Sequence, residues 1–167
     1  MFDPEIRDLA ERVLAACRDR RIMLVTAESC TGGLIAGALT AIPGSSDVVD
    51  RGFVTYSYSA KTDLLGVPEA MIVARGAVSE AVARAMVDGA VGTRKERLAV
   101  AVTGVAGPGS DSQEKPAGLV HMAVGDRGRV LHREHRYGDI GRDAVRRETV
   151  ADALRLVLEW TGERAMA

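Results

Sequence analysis

Apolar residues recur along the chain with two different periods, and the alternation between them sets out an order of helices and strands. Ile6, Leu9, Val13, Leu14 and Cys17 fall at helical spacing, which predicts an amphipathic helix over 4–19. Asp3 and Pro4 suit its N-cap and first helical position. IMLVTA (22–27) is a short, nearly continuous apolar run, the pattern of a strand buried on both faces. GGLIAGALTAI (32–42), following Thr31, reads as a helix of small residues stopped by PGSS (43–46). VVDRGFVTYSY (48–58), rich in β-branched and aromatic residues, reads as a second strand, and SAKTDLLGV (59–67) as a turn with a short helix. Ser79 suits the cap of a helix over 80–91, and LAVAVTG (98–104) is another buried strand. A long Gly-, Pro- and Ser-rich loop (105–118) precedes two strands, 119–125 and 130–138, that read as a hairpin around DRGR. Residues 141–160 form the last helix, with Val145, Val150, Leu154, Val157 and Leu158 as its apolar stripe.

Helices that alternate with buried strands imply an α/β fold, a three-layer α/β/α sandwich with a mixed, mainly parallel sheet. The 167 residues read as one domain over 1–167, without repeat or linker. Aromatics make up only 4% of the chain, so the core must come from Ala, Val, Leu and Ile. A formal net charge of -1 argues against nucleic acid or an anionic membrane as partner, although the arginines cluster late, between Arg127 and Arg155. No apolar run approaches the ~20 residues of a membrane helix. Cys17 and Cys30 form neither a disulfide framework nor a CxxC pair, and the N-terminus lacks the pattern of a signal peptide, so a cytoplasmic protein is expected.

The stretch TAESCTGG (26–33) raises the question of chemistry. Ser29 lies between a buried strand and a Gly-rich helix start, where free backbone N–H groups and the helix dipole favour an anion. The plainer alternative is that Ser29 or Thr31 caps the helix. Neither GxSxG nor a Walker-type phosphate loop is present. Cys30 is the better intrinsic nucleophile, and a helix start could lower its pKa, but a histidine partner is wanted. His121, His132 and His135 all fall in the hairpin. His132 and His135 have opposite parity, which speaks against a shared metal and for solvated strand residues. A serine without histidine needs another base. Lys61 stands alone between Arg51 and Arg75, and it could serve if its pKa fell from about 10.4 toward ~7–8. The bland reading of Lys61 is a solvated surface residue. Ser29 and Thr103 both lie at the carboxyl ends of buried strands, where open α/β sheets bind ligands, and Tyr56 joins them if its strand is parallel. Arg142, Arg146 and Arg147 could clamp a phosphate or form a solvated helix face.

AESCTGG (27–33), GSS (44–46), GFVTYS (52–57) with AK (60–61), GAVSE (76–80), TGVAGP (103–108) and GRDAVRR (141–147) together resemble the CinA C-terminal domain family over nearly the whole chain. Members of that family include nicotinamide-nucleotide amidohydrolases, and larger members carry an additional N-terminal domain for which this chain has no room. The resemblance implies an α/β/α sandwich that converts nicotinamide mononucleotide to nicotinate mononucleotide and ammonia in pyridine-nucleotide salvage. It implies Ser29 as nucleophile, Lys61 as general base and Tyr56 in the proton path, with no metal and no cofactor. Backbone groups around Cys30, Thr31 and Gly32 are expected to hold the oxyanion, and Thr103 to be a further polar site residue. The turn carrying Gly104 and Gly107, then Lys115, then Arg142, are the candidates for the phosphate. A homo-oligomer is expected, with GAVSE as a candidate interface. Two alternatives stand beside this reading: a regulatory nucleotide-binding domain without turnover, and a hydrolase that uses Cys30.

Overall fold

The computed structural model describes residues 1–162. Five strands form one sheet in the order β2-β1-β3-β4-β5. Strand β1 (Met23–Glu28) pairs in parallel with both β2 (Val49–Val54) and β3 (Arg97–Gly104). The antiparallel hairpin of β4 (Leu119–Gly125) and β5 (Val130–Arg136) completes the sheet on the β3 side. The sheet is therefore mixed, as the hydrophobic pattern predicts, and the three parallel strands end at the same edge.

Two helical layers cover it. Helices α1 (Pro4–Asp19), α2 (Leu34–Thr40) and α6 (Arg142–Trp160) pack on one face, against Leu24, Leu98, Val100, Val102, Val120, Met122 and Val124. Helices α3 (Tyr58–Leu65), α4 (Glu69–Arg75) and α5 (Glu80–Val91) cover the other, against Val25, Ala27, Ala99, Ala101 and Ala123. Alternation along β3 thus sends large side chains to one layer and alanines to the other. The alanines let α5 approach the sheet closely. Helix α5 also meets the end of α3 without a side chain between them: a Cβ on Gly89 would lie 1.8 Å from the Leu65 carbonyl oxygen. Helix α3 is fixed in this way, and it carries Lys61.

The caps follow the sequence. The Asp3 carboxylate accepts from the Ile6 amide at 3.0 Å, and Ser79 Oγ accepts from the Val82 amide at 3.3 Å. Several boundaries differ. The second strand stops at Val54, because Ser57 caps α3 by accepting from the Ala60 amide at 3.1 Å and turns Tyr58 into its first residue. Local capping here overrides the β propensity of the TYSY run. Helix α4, right after Pro68, occupies a stretch to which the pattern assigned no element. Helix α2 begins at Leu34, since Gly32 and Gly33 take φ of +60° and +101°, which belongs to a turn. Among the described residues no helix is long and apolar enough to cross a membrane.

Candidate active site

The segment between β1 and α2 is held from several directions. The Ser29 amide donates to the Val102 carbonyl on β3 at 3.1 Å, and the Gly32 amide donates back to the Ser29 carbonyl at 3.0 Å, closing a tight turn. Glu28, fully buried at the end of β1, turns its carboxylate into the start of α2. It accepts from Thr31 Oγ1 at 2.6 Å and from the amides of Gly33, Ile35 and Ala36 at 3.1, 3.0 and 2.8 Å. The N-terminal amides of α2, an expected anion site, are thus filled by the protein's own carboxylate. Neither Ser29 nor Thr31 caps the helix directly. The sequence reading missed Glu28, whose signal was a lone acid closing an otherwise apolar strand.

Ser29 is left free to face Lys61. Lys61 lies on the inward side of α3 and is 1% exposed. Its Nζ donates to Ser29 Oγ at 3.0 Å and to the Thr55 carbonyl at 2.6 Å. Burial disfavours the ammonium form and pulls its pKa down to about 8. The solvated-surface reading of Lys61 is therefore overturned. Burial acts in the opposite sense on Cys30, whose thiol is pushed up to about 12. The expectation of a thiolate stabilised by a helix start fails because that helix start is occupied by Glu28 and the sulfur is out of water.

Ser29, Cys30 and Lys61 lie at the bottom of an open cavity of about 320 Å³. Tyr56, Tyr58, Thr103, Gly104, Gly107 and Arg142 are also in its walls. Because β2 is parallel to β1, Tyr56 does arrive at the shared strand edge. It sits at the mouth, its hydroxyl accepting from Arg142 Nη2 at 2.7 Å, and it makes no hydrogen bond to Ser29 or Lys61. Arg142 also donates through Nη1 to the Gly107 carbonyl at 2.8 Å, which ties the start of α6 to the loop after β3. In that loop Gly107 and Gly109 take φ of +85° and +77°. Ala106, Gly107, Gly109 and Ser110 line the cavity, and no hydrogen bond from their amides to a protein acceptor is found among the described residues. Successive free amides in such a turn form a concavity suited to an anion.

Other expected site residues fall elsewhere. Thr103 is in the wall, but its hydroxyl donates to the Ala77 carbonyl at 2.8 Å and so holds the approach to α5. Thr31 and Gly32 do not line the cavity. The Thr31 hydroxyl belongs to Glu28, and the Gly32 amide is used inside the turn, which leaves the Cys30 amide as the donor beside Ser29. Gly32 and Gly33 serve the left-handed turn. Lys115 donates to the Arg75 carbonyl at 3.0 Å, outside the cavity. Arg147 pairs with Asp3 at 2.9 Å and Glu5 at 2.5 Å, fastening α6 to α1. In the hairpin, His121 is buried and not solvated. It stacks on His132 with Nδ1 and Nε2 3.0 Å apart, beneath Glu80 of α5, while His135 faces Asp152 on the opposite side of the sheet.

Comparison with known proteins agrees with this architecture. The sequence profile of the CinA C-terminal domain matches residues 6–161. A Pseudomonas putida protein named nicotinamide-nucleotide amidohydrolase PncC is 50% identical over 92% of this chain and 94% of its own length. The protein of that name from Escherichia coli K12 is 46% identical over 92% of this chain and 93% of its own length. A CinA-like protein from a Synechococcus strain is 50% identical over 93% of this chain, which spans only 38% of that longer relative. The crystal structure of a competence/damage inducible protein from Agrobacterium tumefaciens superposes with a TM-score of 0.91 at 53% identity, covering 95% of this chain and 97% of its own. The matched profile, the full-length relatives and the superposed structure converge on one assignment: the chain belongs to the CinA C-terminal domain family.

Proposed function

We propose that this protein is a nicotinamide-nucleotide amidohydrolase that cleaves the carboxamide of nicotinamide mononucleotide, releasing ammonia and nicotinate mononucleotide for pyridine-nucleotide salvage. The observation that carries the reading is the buried Lys61 amine 3.0 Å from Ser29 Oγ. The names of the two full-length relatives supply the substrate.

With Lys61 neutral, the hydrogen bond between the two side chains reverses and the Ser29 hydroxyl donates to Nζ. Ser29 Oγ attacks the carboxamide carbon as its proton passes to Lys61. Direct contact between the two makes a relay through Tyr56 unnecessary at this step. The Cys30 amide stabilises the developing oxyanion, and one such donor contributes on the order of 3 kcal/mol. The Lys61 ammonium then protonates the departing nitrogen, the C–N bond breaks, ammonia leaves and an acyl ester remains on Ser29. Water, deprotonated by Lys61, attacks the ester, and the carboxylate product departs with the serine restored. Tyr56, held by Arg142 at the mouth, serves the protons of the leaving ammonia and the incoming water. The free amides of the 105–110 loop and Arg142 take the phosphate. Every proton transfer is assigned to side chains, so the scheme calls for neither metal nor cofactor. A homo-oligomer is part of the proposal, and light scattering in solution checks it.

Ammonia release from nicotinamide mononucleotide is expected from the wild type and from Cys30→Ala, and is lost in Ser29→Ala and Lys61→Met. No release by the wild type overturns the proposal. A second reading is a nucleotide-binding domain without turnover, since the chain also matches 38% of a longer relative whose name, CinA-like protein, states no amidohydrolase activity. Calorimetric binding of the nucleotide with no ammonia formed would establish that reading instead.

A further inference from the structure

The turn carrying Ser29 is braced on one side by Glu28, from its own strand. On the other side stands a residue that the scheme above does not use. Arg146 is one helical turn after Arg142 on α6, so the two share a face of that helix. Arg142 reaches over the cavity to Tyr56 and Gly107, whereas Arg146 reaches beneath it. Its Nε donates to the Cys30 carbonyl at 3.1 Å and its Nη2 to the Thr31 carbonyl at 3.2 Å. These are the two carbonyls directly after Ser29. A planar guanidinium that binds two successive carbonyls fixes the orientation of both peptide planes, which the point charge of a lysine cannot do.

We infer that Arg146 is a positioning residue that locks the Ser29 turn in the geometry required for attack. The inference rests on the reading of Ser29 as nucleophile. With the Ser29 amide pinned to Val102 and the Glu28 carboxylate holding Thr31 and the start of α2, the Arg146 fork removes the remaining freedom of the Cys30–Thr31–Gly32 backbone. That backbone sets the direction of Ser29 Oγ toward Lys61 and of the Cys30 amide toward the oxyanion. Arg146 is not among the residues lining the cavity, so it has no direct hold on substrate. Its effect should fall on kcat and not on KM.

The test compares Arg146→Met, Arg146→Lys, Arg146→Gly and Arg147→Met, with ammonia release from nicotinamide mononucleotide measured per folded molecule. Arg147 lies next in sequence but fastens α6 to α1, so it reports a purely structural loss. Arg146→Met should lower kcat roughly 10–100-fold, the scale of a misplacement near 1 Å, with KM within about twofold. Arg146→Lys should recover part of the loss. Millimolar guanidinium should raise kcat of Arg146→Gly and leave Arg147→Met unchanged. An unchanged kcat, a loss confined to KM, or losses in the Arg146 and Arg147 variants that merely track their folded fractions would each overturn the inference. A second arm needs no nucleotide: fluorophosphonate labelling of Ser29, followed by mass spectrometry, should be slower in Arg146→Met than in wild type. Labelling that is slowed in this way, in a wild type that releases no ammonia, sinks the assigned substrate and leaves the inference standing. Equal labelling rates sink the inference alone, and a wild type that neither labels nor turns over removes both.

Discussion

Two connections leave the sheet at the same edge, and they are built in opposite ways. Between β1 and α2 almost every polar group has a partner: Glu28 collects four donors, Arg146 holds two carbonyls, and Ser29 and Gly32 bond through their amides. After β3, the loop residues Ala106, Gly107, Gly109 and Ser110 line the cavity with amides that no protein acceptor takes among the described residues, and Arg142 ties the loop to the start of α6. Reacting atoms need a fixed geometry, and the group proposed to attack sits in the over-determined turn. A ligand needs unsatisfied donors, and the loop keeps them. Substitutions in the first region should therefore act on stability and kcat, and those in the second on KM.

The largest break in this contrast is Glu28→Ala. It leaves buried donors at the start of α2 without an acceptor, and a loss of roughly 3–5 kcal/mol is expected in denaturant unfolding. In the loop, Gly107→Ala forces a side chain onto φ of +85° and brings a Cβ within 3.4 Å of the Ala117 Cβ. Its stability cost should be about 1 kcal/mol, and steady-state kinetics should show KM raised roughly tenfold with kcat nearly intact.

Lys61 sharpens the comparison further, because it is the one part of the proposed reacting pair that the fold disfavours. Its folded pKa, about 8, lies below the ordinary 10.5, so between these values the unfolded chain binds more protons and stability rises with pH. Below about pH 8 the folded state carries the full cost of a buried ammonium. Lys61→Met should therefore be the more stable protein at pH 7, by up to about 3 kcal/mol less the cost of leaving the Thr55 carbonyl unbonded. Its advantage should shrink as pH rises toward 10. Parallel thermal melts of the two proteins from pH 6 to 10 check the sign. The smallest effect belongs to Cys30→Ala: a thiol with its pKa near 12 holds no reactive charge, so kcat should change less than threefold.

The layered fold was legible because its cause is periodic. Continuous apolar runs marked β1 and β3, and the helical stripe marked α6. What the pattern missed was settled by single polar contacts. The TYSY run looks like a strand until Ser57 caps α3, and α4 is too short after Pro68 to show a period. In the site, Ser29, Lys61 and Tyr56 were legible as family motifs, and the parallel strands explain why they meet. The bracing roles of Glu28 and Arg146 were not, since most of their partners are backbone groups distributed over a turn, which leave no spacing to read. Thr103, expected as a further polar site residue, ends a strand and lines the cavity, while its hydroxyl donates to the Ala77 carbonyl. Position at a strand end brings a residue to the cavity; the direction of its hydroxyl is set by whatever acceptor is nearest.

The central claim is that neutral Lys61 activates Ser29, and the pH dependence of kcat/KM for nicotinamide mononucleotide tests it most directly. The rate should rise from pH 5 through an apparent pKa near 8 and level off above it, with the ammonia yield lost in Lys61→Met at every pH. A flat profile from pH 5 to 9 in a wild type shown to be limited by chemistry, or substantial turnover by Lys61→Met, would contradict the account.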